Sequence, residues 1–216
     1  MIRLRYRLLF FDVDSTLVKV EGIDVLGRGN SEVARLTTSA MNGEIPLEQV
    51  YQRRLESIRP SKQQVESLGQ TYCESLVDGA AETVATLLES GAIVHLVSAG
   101  IEQAVLPLAA LLKIPERQVH AVPVMFSENG EYADFDRRSL LTRGGGKEIV
   151  VRDIRARTHG RAAFIGDGVS DLEAKPAVDL FIGFGGVQVR SIVKEQADVF
   201  VENPSLTAVL PFLQDA

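Results

Sequence analysis

Asp12 and Asp14 follow the apolar run Leu8-Leu9-Phe10-Phe11 and precede two small hydroxyl residues, Ser15 and Thr16. Side chains alternate along extended backbone, so two carboxylates spaced this way at the end of a strand start on the same side. Such a pair suits three kinds of chemistry: holding a hard divalent cation, nucleophilic attack by one oxygen, or proton transfer by a carboxyl whose pKa its neighbour raises. All three serve phosphoryl transfer. Other chemistry-bearing groups recur where strands end or helices begin: Ser98-Ala99-Gly100, Lys147, and Gly166-Asp167-Gly168 with Asp171. The carboxyl ends of parallel strands share one edge of a sheet, so these groups converge although they are far apart in the chain. Carboxylates from two strands would hold Mg2+, while Ser98, the amides after it and Lys147 would neutralise phosphate oxygens.

Taken singly, these residues have plainer readings: Asp14 as a turn former, Ser98-Ala99-Gly100 as a β-to-α turn, Lys147 as a solvated helix residue. Their joint order carries the functional reading. Competing schemes fit worse. Gly144-Gly145-Gly146-Lys147 fails the P-loop pattern, because Leu141 stands where its first glycine belongs and Glu148 replaces the Ser or Thr. In Gly166-Asp167-Gly168, Asp171 occupies the third glycine position of a dinucleotide fingerprint. His95, His120 and His159 lack zinc-ligand spacing, and Ser98 lacks the glycine of a nucleophile elbow, with Leu96 in its place.

The elements that must position these residues read as alternating β and α. Residues 31–76 carry three helical patterns (Val33, Leu36, Ala40, Met41; Leu47, Val50, Tyr51, Leu55, Ile58; Val65, Leu68, Tyr72, Leu76) and no convincing strand. Asp78 and Gly79 open a helix that Gly91 closes before the strand 92–97. A helix near 102–112, a strand near 119–125, a helix near 147–157 and strands near 162–166, 179–182 and 198–201 follow. This alternation predicts an α/β fold with a doubly wound, mainly parallel sheet: a core of residues 1–16 and 77–216 and a small helical insertion at 17–76. Asn129-Gly130 between Val124-Met125-Phe126 and Tyr132 is a two-residue hairpin signal for a short antiparallel flap.

The 216 residues carry a net charge of −6, with 45% hydrophobic and 24% charged residues, an ordinary globular composition. No basic stripe offsets the acid excess, which argues against nucleic acid or an anionic membrane as partner. No apolar stretch approaches the roughly 18–20 residues of a membrane span. The basic start, Met1 to Arg7, is followed by an apolar run of only Leu8 to Phe11, so a cytoplasmic start is expected rather than a signal peptide. The single cysteine, Cys73, excludes an internal disulfide and fits a reducing compartment.

At these residues the sequence resembles the haloacid dehalogenase-like superfamily, and within it the phosphoserine phosphatases. Asp12-Val13-Asp14-Ser15-Thr16 is similar to the first family motif, Ser98 to the second, Lys147 to the third and Ile165-Gly166-Asp167-Gly168-Val169-Ser170-Asp171 to the fourth. Glu21-Gly22-Ile23-Asp24 and Asp179 to Gly186 are similar to the animal-type enzymes. The resemblance implies that Asp12 attacks phosphorus to form an aspartyl phosphate, and that Asp14 protonates the leaving serine oxygen and later activates water. It implies Mg2+ held by Asp12, Asp167 and the backbone carbonyl of Asp14, with Gly168 and Asp171 in support, and phosphate bound by Ser98, Ala99 and Lys147. The helical insertion then corresponds to a cap that reads the substrate. Glu21 would face its ammonium and Arg54 fork to its carboxylate, with Met41, Gly43, Gly100 and Ser170 completing the pocket. Leu47 in place of Phe, Ala99 in place of Gly, and Ser170 in place of Asn or Thr depart from the pattern and bear on selectivity. The implied function is hydrolysis of L-phosphoserine to L-serine and phosphate. The alternatives are the same chemistry on another small phosphomonoester such as phosphohomoserine or phosphocholine, phosphotransfer to an alcohol, or a receiver-like phospho-acceptor module. A receiver would be shorter and would have no helical insertion. The spacing leaves oligomeric state open.

Overall fold

The computed structural model describes residues 2–42 and 44–215, apart from the side chains of Met41 and Leu47. The chain runs β1 (Leu8–Phe11), four helices α1 (Gly22–Leu26), α2 (Ser31–Met41), α3 (Leu47–Ile58) and α4 (Lys62–Glu74), then α5 (Ala80–Glu89), β2 (Ile93–Ile101) and α6 (Glu102–Leu111). β3 (Val119–Val122), β4 (Val124–Phe126), β5 (Tyr132–Phe135), α7 (Gly146–Arg155), β6 (Ala162–Gly166), α8 (Val169–Leu172), β7 (Leu180–Phe184), α9 (Ser191–Gln196), β8 (Val199–Val201) and α10 (Leu210–Leu213) follow.

Six strands form one parallel sheet in the order β3-β2-β1-β6-β7-β8. The chain builds outward from β1 to one side and then restarts on the other, so the strand order reverses at β1. Loops leaving β1 and its two neighbours diverge there and leave a crevice at their carboxyl ends. Register brings the chemistry to one level: Phe11 pairs with Leu96 of β2 and Ile165 of β6. Asp12 therefore stands level with the residues just before Ser98 and Asp167.

All four side chains of β1 are buried, as a central strand covered on both faces requires. One aromatic row crosses the sheet, with ring centroids of His120 and His95 5.2 Å apart, His95 and Phe10 5.5 Å, Phe10 and Phe164 6.2 Å, and Phe164 and Phe181 6.0 Å. Burial of each phenylalanine contributes roughly 1.5–3 kcal/mol. This row holds β1, β2 and β6 at fixed spacing directly beneath the strand ends.

The helical layer α1–α4 leaves the core after β1 and returns before α5. Its helices start where the sequence supplies caps: the Asn30 side chain accepts from the amides of Glu32 and Val33, and Ser61 and Gln64 form a reciprocal capping box. The short helix α1 has no periodic signal of its own and carries Gly22 beside the strand ends. None of the described helices is long and apolar enough to cross a membrane.

Two local expectations change. β2 continues through Ser98-Ala99-Gly100 to Ile101, with a register shift against β3 after Val97, so the serine sits in an irregular strand end rather than a separate turn. The hairpin has a three-residue connection instead of two: the Ser127 amide bonds the Glu131 carbonyl at 2.9 Å, the Gly130 amide bonds the Ser127 carbonyl at 2.9 Å, and Gly130 takes φ +81°. That is a type I turn closed by a left-handed glycine. The hairpin packs on the helical layer. Arg59 Nη2 donates to the Tyr132 carbonyl at 3.0 Å, the Lys62 amide donates to the Gly130 carbonyl at 2.8 Å, and the Tyr51 ring meets Phe135 edge-on at 5.3 Å.

Candidate active site

The strand ends and the helical layer enclose a cavity of about 60 Å3. From the core it is lined by Asp12, Asp14, Ser98, Ala99, Gly100, Lys147 and Ser170, and from the helical layer by Glu21, Gly22, Tyr51, Arg54 and Tyr72. Gly43 lies outside the described residues, as do the side chains of Met41 and Leu47.

Asp12 continues β1, its amide bonding the Ile165 carbonyl at 3.0 Å, which fixes its carboxyl at the sheet edge. Lys147 Nζ, buried at the start of α7, donates to Asp12 Oδ1 at 2.8 Å and to Asp171 Oδ1 at 2.5 Å. The other oxygen of Asp171 accepts from the amides of Asp167 at 3.1 Å and Gly168 at 2.8 Å. Gly166 is needed for this fold-back, since a Cβ there would lie 2.5 Å from the Asp171 side chain. Both Asp171 oxygens are therefore engaged within the protein, and it orients Lys147 and the loop after β6. Asp167 Oδ1 accepts from the Thr16 hydroxyl at 3.1 Å and Oδ2 from Arg190 Nε at 3.0 Å.

Asp14 lies in the tight loop after β1, where Ser15 adopts φ +54°. Its Oδ2 accepts from the Gly22 amide at 3.2 Å, and Oδ1 has no partner among the described residues. Glu21 Oε1 accepts from the Ser15 hydroxyl at 2.6 Å and lies 3.4 Å from Arg190 Nη2, while Oε2 is unpartnered. The Gly100 amide donates to Ser98 Oγ at 2.9 Å, which leaves the serine hydroxyl proton free to face a ligand.

Arg54 is only 4% exposed, yet among the described residues it has no carboxylate within ion-pair distance. Its Nη1 donates to the Thr37 hydroxyl at 3.2 Å, Thr37 in turn donates to Asp24 at 3.0 Å, and its Nε has no partner. Burial pulls the guanidinium below its ordinary value. A buried cation without an anion is costly, so an anionic ligand group is the natural complement.

Desolvation dominates the carboxyls. Burial, reinforced by Asp171 and opposed by Lys147, raises Asp12 well above the carboxylate range. Burial lifts Asp14 to about 7 against the pull of the Tyr72 hydroxyl, Glu21 to about 7 with help from Asp14, and Asp167 to about 8 with help from Glu21 and Asp171. On Lys147 burial pulls downward, but Asp12 and Asp171 outweigh it and keep the ammonium charged. Acceptor oxygens of Asp12, Asp167 and Asp171 lie within 4.8 Å of one another, a buried all-oxygen cluster that Lys147 and Arg190 do not fully neutralise. Such a set fits a hard divalent cation.

Arg190 and Tyr72 escape the sequence reading. Arg190 follows the end of β7, so extending the strand-end argument by one strand would have reached it. Tyr72 reads as an ordinary member of an apolar helical stripe, and nothing in its spacing marks the hydroxyl.

The architecture recurs in known proteins. A family model described as haloacid dehalogenase-like hydrolase matches residues 9–174. The phosphoserine phosphatase of Mus musculus is 39% identical over 195 residues, 88% of this chain and 87% of that protein, and the enzyme of Homo sapiens is 38% identical with the same coverage. A solved structure of a phospho-aspartyl intermediate analogue of phosphoserine phosphatase superposes with a TM-score of 0.84 at 26% identity, covering 97% of this chain and all of that one. With the family model spanning most of the sheet and its strand-end carboxylates, this chain belongs to the haloacid dehalogenase-like hydrolases.

Proposed function

We propose that the protein is a Mg2+-dependent phosphatase that hydrolyses L-phosphoserine through an aspartyl phosphate. The observation that carries the substrate is the buried Arg54, without a carboxylate partner among the described residues, in the same cavity as Glu21 Oε2, likewise unpartnered among them, and the pair Asp12 and Asp14. A cation, an anion and a phosphoryl-transfer pair together complement a carboxylate, an ammonium and a phosphate on one small molecule. The relatives named phosphoserine phosphatase support the same assignment.

In this mechanism a carboxylate oxygen of Asp12 forms a bond to phosphorus as the bond from phosphorus to the serine oxygen breaks. Asp14, held near 7 by burial, has a proton available at neutral pH and gives it to the departing serine oxygen. Asp14 then takes a proton from water, whose oxygen attacks phosphorus, releasing phosphate and regenerating Asp12. Lys147 keeps Asp12 oriented and its charge balanced, and the Ser98 hydroxyl with the Ala99 amide supplies donors to the phosphoryl oxygens. Asp12, Asp167 and the backbone carbonyl of Asp14 would hold Mg2+, supported by Gly168 and Asp171. When bound, the ion offsets the charge of the carboxylates and the phosphoryl oxygens.

Residues 17–76 would serve as a cap over a core of 1–16 and 77–216. Glu21, Arg54, Gly100 and Ser170, with Met41 and Gly43, would surround the serine moiety. The testing experiment is phosphate release from a panel of small phosphomonoesters including L-phosphoserine, with Mg2+ and with chelator, using Asp12→Asn as the blank. Metal-dependent preference for L-phosphoserine is expected. Preference for an ester lacking either the ammonium or the carboxylate would overturn the assignment of Glu21 and Arg54.

A further inference from the structure

Tyr72, near the end of α4, is wholly buried, and its ring carries the hydroxyl from the helical layer to the strand ends. A Cβ on Gly22 would lie 2.0 Å from that hydroxyl, and one on Gly100 would lie 3.6 Å from it. The hydroxyl thus occupies space that only the absence of a side chain at Gly22 provides, between the loop after β1 and the irregular end of β2.

Two buried oxygens there have no hydrogen-bond partner among the described residues: the Tyr72 hydroxyl and Asp14 Oδ1. Both flank Gly22: a Cβ there would run into the Tyr72 hydroxyl, and its amide holds the other oxygen of Asp14. A buried hydroxyl is rarely left unsatisfied. If Tyr72 served only as packing, phenylalanine would fill the same volume without the desolvated oxygen. Asp14 is meanwhile held on one side only, by the Gly22 amide on Oδ2. A carboxyl anchored by one oxygen can still rotate about its Cβ–Cγ bond.

We propose that Tyr72 is the positioning residue for the acid: its hydroxyl donates to Asp14 Oδ1 and, with the Gly22 amide, fixes the carboxyl plane toward the leaving oxygen. Oδ1 has two lone-pair directions. Tyr72 occupies one, and the other carries the proton that passes to the alkoxide as the phosphorus–oxygen bond breaks. This inference rests on Asp14 being the general acid of the proposed phosphatase.

The role separates from packing by leaving group. A nitrophenolate leaves without a proton, whereas an alkoxide needs one, and kcat/KM reports only the steps up to the aspartyl phosphate. Tyr72→Phe and wild type are compared with Mg2+ on L-phosphoserine, on ethyl phosphate and on p-nitrophenyl phosphate. Losing one hydrogen bond to the acid lowers kcat/KM about tenfold for both alkyl esters and less than twofold for the aryl ester. Adding Tyr72→Phe to Asp14→Asn causes no further loss on the alkyl esters, because the hydroxyl acts through that carboxyl.

Equal losses on all three substrates would reduce Tyr72 to packing and overturn the inference. So would an unchanged variant, a loss confined to L-phosphoserine, which would mark a direct substrate contact, or a further loss on the Asp14→Asn background. A wild type inactive on every ester overturns the phosphatase reading itself, and the inference with it.

Discussion

Replacing Arg190 by leucine removes a cation that touches both the strand-end carboxylate Asp167 and Glu21 of the helical layer. Its side chain is 6% exposed, and it donates to Asp167 at 3.0 Å and approaches Glu21 at 3.4 Å. Breaking a buried pair by removing one partner costs about 3–5 kcal/mol. The lower end applies here, because the Glu21 contact is long and both carboxyls can take up protons, so about 3 kcal/mol is expected at pH 8. For a chain of this size that lowers the midpoint by roughly 6–12 °C. The pH sign follows from the raised carboxyls. Asp167 at about 8 and Glu21 at about 7 bind protons more tightly folded than unfolded, so their folded forms are favoured at low pH and lose stability as pH rises through those values. Without Arg190 both rise further, and the deficit of the variant grows from pH 5 to pH 8. Urea unfolding followed by circular dichroism, in chelator, at pH 5, 6.5 and 8 measures it. A deficit under about 1 kcal/mol at pH 8, or one larger at pH 5 than at pH 8, refutes the reasoning. Arg190→Lys is expected to recover only part of the loss, since an ammonium lacks the planar fork that reaches two carboxylates.

Arg54→Ala is expected to lower kcat/KM for L-phosphoserine about 10- to 100-fold, the range of charge-assisted hydrogen bonds, while changing ethyl phosphate little; equal losses would remove Arg54 from substrate recognition. His95 is held down to about 4 by burial and by His120, so the unfolded chain takes up a proton first and stability falls as pH drops from about 6.5 through about 4. The pair is partly open to water through His120, so about 1–2 kcal/mol is expected, and His95→Phe should flatten this part of the profile in urea titrations. Parallel profiles for variant and wild type would show that the histidine does not titrate in this way.

The periodic elements and the strand-end chemistry were legible in the order of residues alone. Period-2 and near-continuous apolar runs mark β1, β2 and β6 because a central parallel strand must be apolar on both faces, and Asp12, Ser98, Lys147 and Asp167 stand out because they interrupt or follow such runs. The three long helices of residues 31–76 were legible for the same reason, each with one apolar stripe. Which polar atoms remain without partners was not legible there, because packing sets it. Arg54 looks like any charged helix residue until α3 is packed against α2 and its guanidinium, among the described residues, proves to hydrogen-bond Thr37 rather than a carboxylate. Arg190 acquires its role from crossing to Asp167 and Glu21, residues 23 and 169 positions away. Tyr72 belongs to a core stripe by spacing, and its hydroxyl becomes informative only beside Gly22 and Asp14. Local pattern reports which face of an element is buried, because burial of that face is set by period. Desolvation and hydrogen-bond satisfaction depend on groups distant in sequence, and they are fixed only when the chain has folded.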